Sequence, residues 1–250
     1  MPAAPHPQSA REQLSALAEA VRAGRGGAGF EAFAGLPVPT DARASAVLIL
    51  FGALDGVSSD HEPDAHAVSR DLDVLLLERA STLRSHPGQV AFPGGRLDPE
   101  DDGPVAAALR ESVEETGLDA SGVEVLGALE TVPLAFSQNL VIPVLAWWRH
   151  PSPVGVVDVA ESAAVFRAPV ADLLDPAKRG VTVIRRGGQE WRGPGFLVPR
   201  LDGRGERDGD HLVWGFTAML LDGLFDRLGW TEPWDSGREL PLVLPEVEAR

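Results

Sequence analysis

Apolar residues recur along the chain at two spacings, one typical of amphipathic helices and one typical of buried strands. Ser9 and Glu12 match a capping box that begins a helix, and Gly24 ends its apolar repeat. Short runs rich in Val, Leu and Ile predict strands at Ser45–Phe51, Asp73–Arg79, Val123–Leu129, Leu140–Trp147, Ala163–Arg167 and Val181–Arg185. Further helices are predicted at about Pro104–Thr116, Val170–Leu174 and Phe216–Leu228. Because strands and helices interleave without a regular period, we predict an α/β protein of the α+β type, with a mixed β-sheet sandwiched between helices.

Charge and composition narrow the classes of partner. The formal net charge of −15 argues against nucleic acid, because a protein that displaces counterions from phosphates needs a basic face. No apolar run is long enough to span a membrane, and the N-terminus lacks the apolar core of a signal peptide. The chain has no cysteine, which fits a reducing compartment, and we expect a cytoplasmic protein. A small phosphorylated ligand remains compatible with this charge if local arginines or bound cations meet it.

The segment before Gly117 predicts a helix with one acidic side. Helical spacing places Glu111, Glu114 and Glu115 on that side. The opposite, apolar side is predicted to hold Val105, Leu109 and Val113, with Ala106 beside them. Each like-charged pair costs roughly 0.2–0.5 kcal/mol, and a hard divalent cation such as Mg²⁺ or Mn²⁺ would relieve that repulsion. A solvated Glu-rich surface is the alternative, because charge runs are common on exposed helices.

A glycine turn lies just ahead of this helix. Phe92, Pro93, Gly94 and Gly95 are consecutive, and Gly95 precedes Asp102 by seven residues. Two glycines let the backbone pass close to a ligand and adopt a positive φ. Alone, such a pair usually marks an ordinary turn. Because it leads onto a helix with three acids on one side, the combination predicts a phosphate or metal site, with Phe92, Gly94 and Gly95 as substrate-binding residues.

The stretch from Gly95 to Leu118 resembles the Nudix box, in which a glycine and an acid precede Arg-Glu-x-x-Glu-Glu-x-Gly. Asp102 stands where the box usually has Glu, Ser112 replaces an aliphatic residue or Ala, and the loop before Asp102 is one residue longer. The resemblance implies a Nudix-like fold and a hydrolase that cleaves a diphosphate with Mg²⁺ or Mn²⁺. It further implies that Glu111, Glu114 and Glu115 bind the metal and act in catalysis, and that Arg110 orients a glutamate.

A second stretch is similar to the signature of coenzyme A pyrophosphatases, although Leu77 departs from the usual Thr. It comprises Leu75–Ala80, Arg84, Gly88 and Phe92–Gly95. The resemblance implies hydrolysis of coenzyme A or acyl-CoA to 3′,5′-ADP and 4′-phosphopantetheine or its acyl form. A Nudix hydrolase of ADP-ribose, NADH or a nucleoside triphosphate is the first alternative, and a non-catalytic nucleotide-sensing module is the second.

The resemblance also divides the chain. Residues 45–228 are predicted to form the Nudix domain, residues 1–44 an N-terminal extension with one helix, and residues 229–250 a C-terminal tail. The expected partner is a small nucleotide, not nucleic acid or a membrane. The resemblance leaves a homodimer open.

Residues outside the box complete the predicted site. Arg79 and Arg84 flank the turn as candidate anchors for phosphate, since arginine matches phosphate oxygens in a bidentate manner. Surface ion pairing is the alternative for each of them. A glutamate of the box can serve as general base, and Glu161 is the candidate outside it; an ordinary surface glutamate is the alternative reading of Glu161. Trp214 and Phe216 would either stack on adenine or pack in the core, and we favour the core.

Overall fold

The structure is a computed structural model, and it describes residues 9–26, 30–34, 36, 38, 41–53, 58–83, 86–134, 139–202 and 204–242. Within these residues the α-helices are α1 (Ala10–Arg22), α2 (Pro104–Thr116), α3 (Val170–Leu174) and α4 (Gly215–Leu228). Each lies where the apolar spacing predicts a helix. The capping box of α1 is present, with the side chains of Ser9 and Glu12 each accepting from the other's backbone N–H.

Within the described part of the chain, the strands form two sheets. The larger sheet has eight strands: β1 (Arg43–Ala53), β2 (Leu72–Arg79), β3 (Val90–Ala91), β4 (Gly94–Arg96), β5 (Val123–Ala128), β6 (Val132–Leu134), β7 (Asn139–Trp148) and β8 (Ser162–Pro169). The smaller has three: β9 (Arg179–Arg186), β10 (Gln189–Leu201) and β11 (Arg207–Val213). In the larger sheet β1 runs parallel to β7 and antiparallel to β2 and β4, so the sheet is mixed, as predicted.

Alternate residues of β1 enter two different cores on opposite faces of the larger sheet. Ile49 and Phe51 belong to a core that they share with α1 and α4. Leu48 and Leu50 belong to a second core, where they meet Ala108 of α2. Because successive side chains of a strand point to opposite faces, β1 is buried on both sides. The predicted arrangement of a mixed sheet between helices is therefore confirmed.

The buried side of α2 differs in part from the predicted one, since Val105 and Leu109 pack against the second core as predicted. Val113, predicted to face the core, is 41% exposed. The residues buried on α2 are Ala107, Ala108, Ser112 and Thr116. The hydroxyl of Ser112 donates to the carbonyl of Ala108 and that of Thr116 to the carbonyl of Ser112, both at 2.6 Å, so neither is left unpaired. Small side chains on this stripe let the helix lie close to the sheet, whereas Val113 projects outward.

Strands β10 and β11 were not predicted, and they build the smaller sheet. Their sequences give little apolar alternation, since the first four residues of β10 are all exposed. The chain beyond α4 adds to this sheet: the N–H of Val181 donates to the carbonyl of Arg238, and the N–H of Leu240 to that of Val181, each at 2.8 Å. The ring of Trp230 is buried in the same core as α1 and α4. The domain boundaries at residues 44 and 228 stay a prediction.

Among the described residues, each helix is too short or too polar to cross a lipid bilayer.

Candidate active site

The two glycines of the turn lie in β4, wedged between β1 and α2. Gly94 has a φ of +152°, and a Cβ there would lie 2.3 Å from the carbonyl oxygen of Ala46. A Cβ on Gly95 would lie 2.4 Å from the carboxyl carbon of Glu111. Any side chain at Gly94 would collide with backbone, and any side chain at Gly95 would fill the space of the Glu111 carboxylate. The glycines are thus required by the close approach of three elements.

The carboxylate of Glu115 points back at this turn. The N–H of Gly94 donates to Glu115 Oε2 at 2.9 Å. Burial raises the pKa of Glu115 to about 7, an effect that the Gly94 hydrogen bond opposes and that the Glu111 and Glu161 carboxylates reinforce. Burial also raises the pKa of Glu111. These are acids whose negative charge is poorly solvated, and such acids gain from a nearby cation.

Arg110 joins the acids of this region. Its Nη1 donates to Glu111 Oε1 and to Glu114 Oε2, both at 3.1 Å. Its Nη2 donates to the carbonyl of Arg96 at 3.1 Å, next to the glycine turn. The hydrogen bonds with carboxylates raise the pKa of Arg110, so the guanidinium is always charged. The structure therefore places Arg110 where it was predicted, in contact with box glutamates that it can orient.

The strongest partner of Arg110 is Asp101, which the sequence did not single out. Arg110 Nε and Nη2 donate to the two oxygens of Asp101 at 3.0 Å each, a bidentate pair that lowers the pKa of Asp101. Asp102, which stands at the acid position of the box, is exposed. Of the two adjacent aspartates, it is therefore Asp101 that meets the guanidinium. The one available signal was the adjacent pair of aspartates.

Arg79 and Glu161 both act on Glu115. The positive charge of Arg79 lowers the pKa of Glu115, and the negative charge of Glu161 raises it. The Nε of Arg79 is buried and has no hydrogen-bond partner within the described residues. The N–H of Ala80 donates to the carbonyl of Glu161 at 2.9 Å, which holds the two segments together. Both predicted residues thus lie at the site, whereas Arg84 lies outside the described residues.

Phe92 does not offer its ring to a substrate. The side chain is 3% exposed and packs in the core shared with α1 and α4, on the face of the sheet away from α2. A ring before a glycine turn reads equally well as a ligand contact or as an anchor, and here it anchors the turn. Phe216 is also a packing residue, with its ring 5.4 Å from that of Phe33 in an edge-on arrangement.

The donor set fits a hard divalent cation. Glu111 and Glu115 supply desolvated carboxylates beside a turn that has no side chain in the way. Oxygen donors of this kind suit Mg²⁺ and Mn²⁺. Among the described residues, no three His, Cys, Asp or Glu side chains are gathered closely enough to hold an ion as they stand. Arg110 holds Glu111 and Glu114, and Gly94 holds Glu115. Coordination by all three glutamates stays a prediction.

Comparison with known proteins finds a family model over the segment that contains this site. The model of the NUDIX domain family matches residues 60–150, which include the turn and α2. Nudix hydrolase 15, mitochondrial, of Arabidopsis thaliana is 34% identical over 182 residues, covering 72% of this chain and 56% of the relative. The chain thus spans little more than half the length of this plant relative. The structure of a MutT/nudix family protein from Enterococcus faecalis aligns with 78% of this chain and 64% of its own at 17% identity, with a TM-score of 0.43.

A relative that this chain covers over three quarters of its length decides the family. The Nudix hydrolase NudL of Cronobacter sakazakii is 40% identical over 156 residues, covering 62% of this chain and 75% of the relative. The segment that the family model matches contains the glycine turn, Arg110 and the three glutamates. This chain belongs to the Nudix hydrolase family.

Proposed function

We propose that this protein hydrolyses the diphosphate bond of a nucleoside diphosphate derivative with Mg²⁺ or Mn²⁺, and that coenzyme A or acyl-CoA is its substrate. The observation that carries the hydrolysis is the poorly solvated Glu115 carboxylate, held by the N–H of Gly94 with Glu111 beside it. Glu111, Glu114 and Glu115 would hold the cation. A bound divalent cation supplies charge neutralisation on the diphosphate oxygens and a more acidic water.

The protein's own groups have separate tasks in this reaction. Arg79, whose buried Nε has no partner within the described part of the chain, would bind a phosphoryl oxygen. Arg110 keeps Glu111 and Glu114 in place through its bond to Asp101. Glu161, close enough to raise the pKa of Glu115, would accept the proton of the attacking water, and Glu115 is the other candidate for that base. Phosphoryl transfer depends mainly on positioning and electrostatics, which these groups provide.

Coenzyme A is favoured over other diphosphates by the signature that runs from Leu75 through Arg79 to the Phe92–Gly95 turn. In the structure this signature covers β2, β3 and the glycine turn; Gly94 of the turn donates to the Glu115 carboxylate, and the charge of Arg79 at the end of β2 lowers the pKa of Glu115. Its departure at Leu77 concerns a buried residue of β2 and not a group at the surface of the site. ADP-ribose, NADH and nucleoside triphosphates are the competing substrates.

A substrate panel tests the proposal. Purified protein with Mg²⁺ or Mn²⁺ is incubated with coenzyme A, acetyl-CoA, ADP-ribose, NADH and GTP, and products are identified by mass spectrometry. We expect coenzyme A to yield 3′,5′-ADP and 4′-phosphopantetheine, with one atom of ¹⁸O from labelled water in one product. Rapid turnover of ADP-ribose without turnover of coenzyme A would reject coenzyme A as the substrate but would support the proposed diphosphate hydrolysis. Nucleotide binding without any metal-dependent turnover would reject both and support the sensing module.

A further inference from the structure

A buried pair connects the smaller sheet to the end of β2. His211 of β11 is 5% exposed, and its Nδ1 lies 2.7 Å from Glu78 Oε2. The His211 ring stacks on Phe166 of β8, with ring centroids 4.0 Å apart and planes inclined by 6°. Stacking fixes the plane of the imidazole and the hydrogen bond fixes its rotation. The Glu78 carboxylate is therefore held on the face of the larger sheet that meets β11.

Glu78 and Arg79 are consecutive, so they point to opposite faces of β2. The alternation along β2 is visible in its cores, since Leu76 enters the core with α4 and Leu75 the core with α2. Glu78 therefore lies on the same face as Leu76, and Arg79 lies on the same face as Leu75. Arg79 thereby faces Glu115, whose pKa its charge lowers. Because the two residues are joined by one peptide bond, holding Glu78 on one face also fixes the backbone position from which the Arg79 side chain extends on the other face.

At this end the pairing of β2 with β8 is irregular, although on the β3 side the N–H of Arg79 donates to the carbonyl of Gln89 at 3.0 Å. Opposite β8 the register shifts between Glu78 and Arg79, as Glu78 pairs with Ala164 and Arg79 with Ser162. The extra residue, Ala163, lies in β8, so the bulge bends β8 and leaves the alternation of Glu78 and Arg79 along β2 intact. A second contact supports the same point: Thr217 of α4 donates to the carbonyl of Val90 at 2.9 Å, and Val90 is the β3 partner of Glu78.

We propose that His211 is a positioning residue for the diphosphate site: by holding Glu78 it fixes the end of β2 that presents Arg79 toward Glu115. The inference rests on the proposed function in that Arg79 binds the diphosphate. His211 lies outside the segment that matches the family model, so a part of the chain beyond the box would set how tightly substrate is bound.

A double-mutant cycle between His211 and Arg79 tests this role. His211→Phe keeps a ring that can stack on Phe166 and removes the hydrogen bond to Glu78. In the otherwise unchanged enzyme we expect KM to rise about tenfold with a much smaller change in kcat, the size of one lost charge-assisted hydrogen bond. In an Arg79→Ala background, which already lacks the group being positioned, His211→Phe should change KM by less than about twofold.

The outcomes separate positioning from a structural role. An equal loss of kcat/KM with and without Arg79 would mean that His211 merely stabilises the fold, and an unchanged KM would mean that it does nothing for the site. If His211→Phe does not fold, Glu78→Met carries the same cycle, because its side chain keeps a similar length and does not make the hydrogen bond with His211. The cycle is run on whichever diphosphate of the panel the enzyme hydrolyses, so rejection of coenzyme A leaves it intact. If none is hydrolysed, calorimetry with Mg²⁺ and inorganic pyrophosphate replaces KM, and absence of coupling there overturns the inference.

Discussion

The glycine turn with α2 and the smaller sheet with α4 both contain buried charge, but they handle it in opposite ways. Beside the turn, the Glu111 and Glu115 carboxylates lie close together with only part of their charge offset by arginine. In the other region Arg179 of β9 is 1% exposed, pairs with Asp222 of α4 and lies between the rings of Phe196 and Trp234. Excess negative charge prepares one region for a cation, whereas in the other a single carboxylate offsets the charge of the guanidinium and two rings cover it, with Arg179 Nε and Nη1 left without a hydrogen-bond partner among the described residues. Removing a carboxylate should therefore reduce catalysis in the first region and stability in the second.

The largest effect is expected from Glu115→Gln. The amide still accepts the hydrogen bond from Gly94 but brings no charge to a cation, so kcat should fall about 10²–10³-fold while the free energy of unfolding falls little. Steady-state kinetics and urea unfolding measure the two quantities. Glu100→Gln is the matched control, since Glu100 is exposed in the loop before α2. Full activity of Glu115→Gln would remove the site assignment.

Asp222→Ala should affect stability and not catalysis. It leaves the Arg179 guanidinium buried without its carboxylate, and breaking such a pair costs about 3 kcal/mol of unfolding free energy. Asp210→Ala is the matched control: Asp210 is about as exposed as Asp222, but its partner Arg207 is exposed, and the loss should stay below about 1 kcal/mol. Equal losses for the two variants would show that the burial of Arg179 does not matter.

Alanine substitutions at Gly94 and Gly95 should have different effects on stability and on catalysis. Gly94→Ala meets the Ala46 carbonyl, which cannot move aside, and should cost about 2–4 kcal/mol of stability. The Cβ of Gly95→Ala would contact the Glu111 carboxylate, which is the movable end of a side chain. This variant should therefore lower kcat clearly while its free energy of unfolding changes little. Gly155→Ala, with nothing within 4 Å of the added Cβ, is the control for both. If the two variants lose stability equally, the geometry of the turn is wrong.

The same comparison explains what the sequence could predict. The acidic side of α2 and the glycine turn lie within one short segment, and helix geometry alone relates Glu111 to Glu115. The pairing of Glu78 with His211 spans 133 residues, and no local spacing carries it. Strand β10 escaped prediction because its first half is exposed, so nothing apolar alternates there. Asp101 and Asp102 are adjacent and chemically identical, so local spacing does not tell which carboxylate meets Arg110.

The last prediction concerns protons at the turn, where the effect is smaller and graded. Glu115 has an ordinary pKa of 4.5, and burial raises it to about 7 in the folded protein. The folded, metal-free protein therefore binds a proton that the unfolded chain has released. That stabilisation is fully present below pH 4.5 and is lost as the pH rises through about 7, on the order of 3 kcal/mol in total.

A bound cation reverses this preference because it favours the carboxylate. The affinity for Mg²⁺ should then rise between pH 6 and pH 8, by up to about tenfold per unit below the pKa, with release of a proton on binding. Calorimetric titrations in two buffers of different ionisation enthalpy measure both the affinity and the proton. Glu115→Gln should bind Mg²⁺ more weakly and lose most of the pH dependence, whereas Asp222→Ala should retain it. An affinity for Mg²⁺ that stays constant over this range would show that Glu115 does not meet the cation, and the contrast between the two buried charges would then concern stability alone.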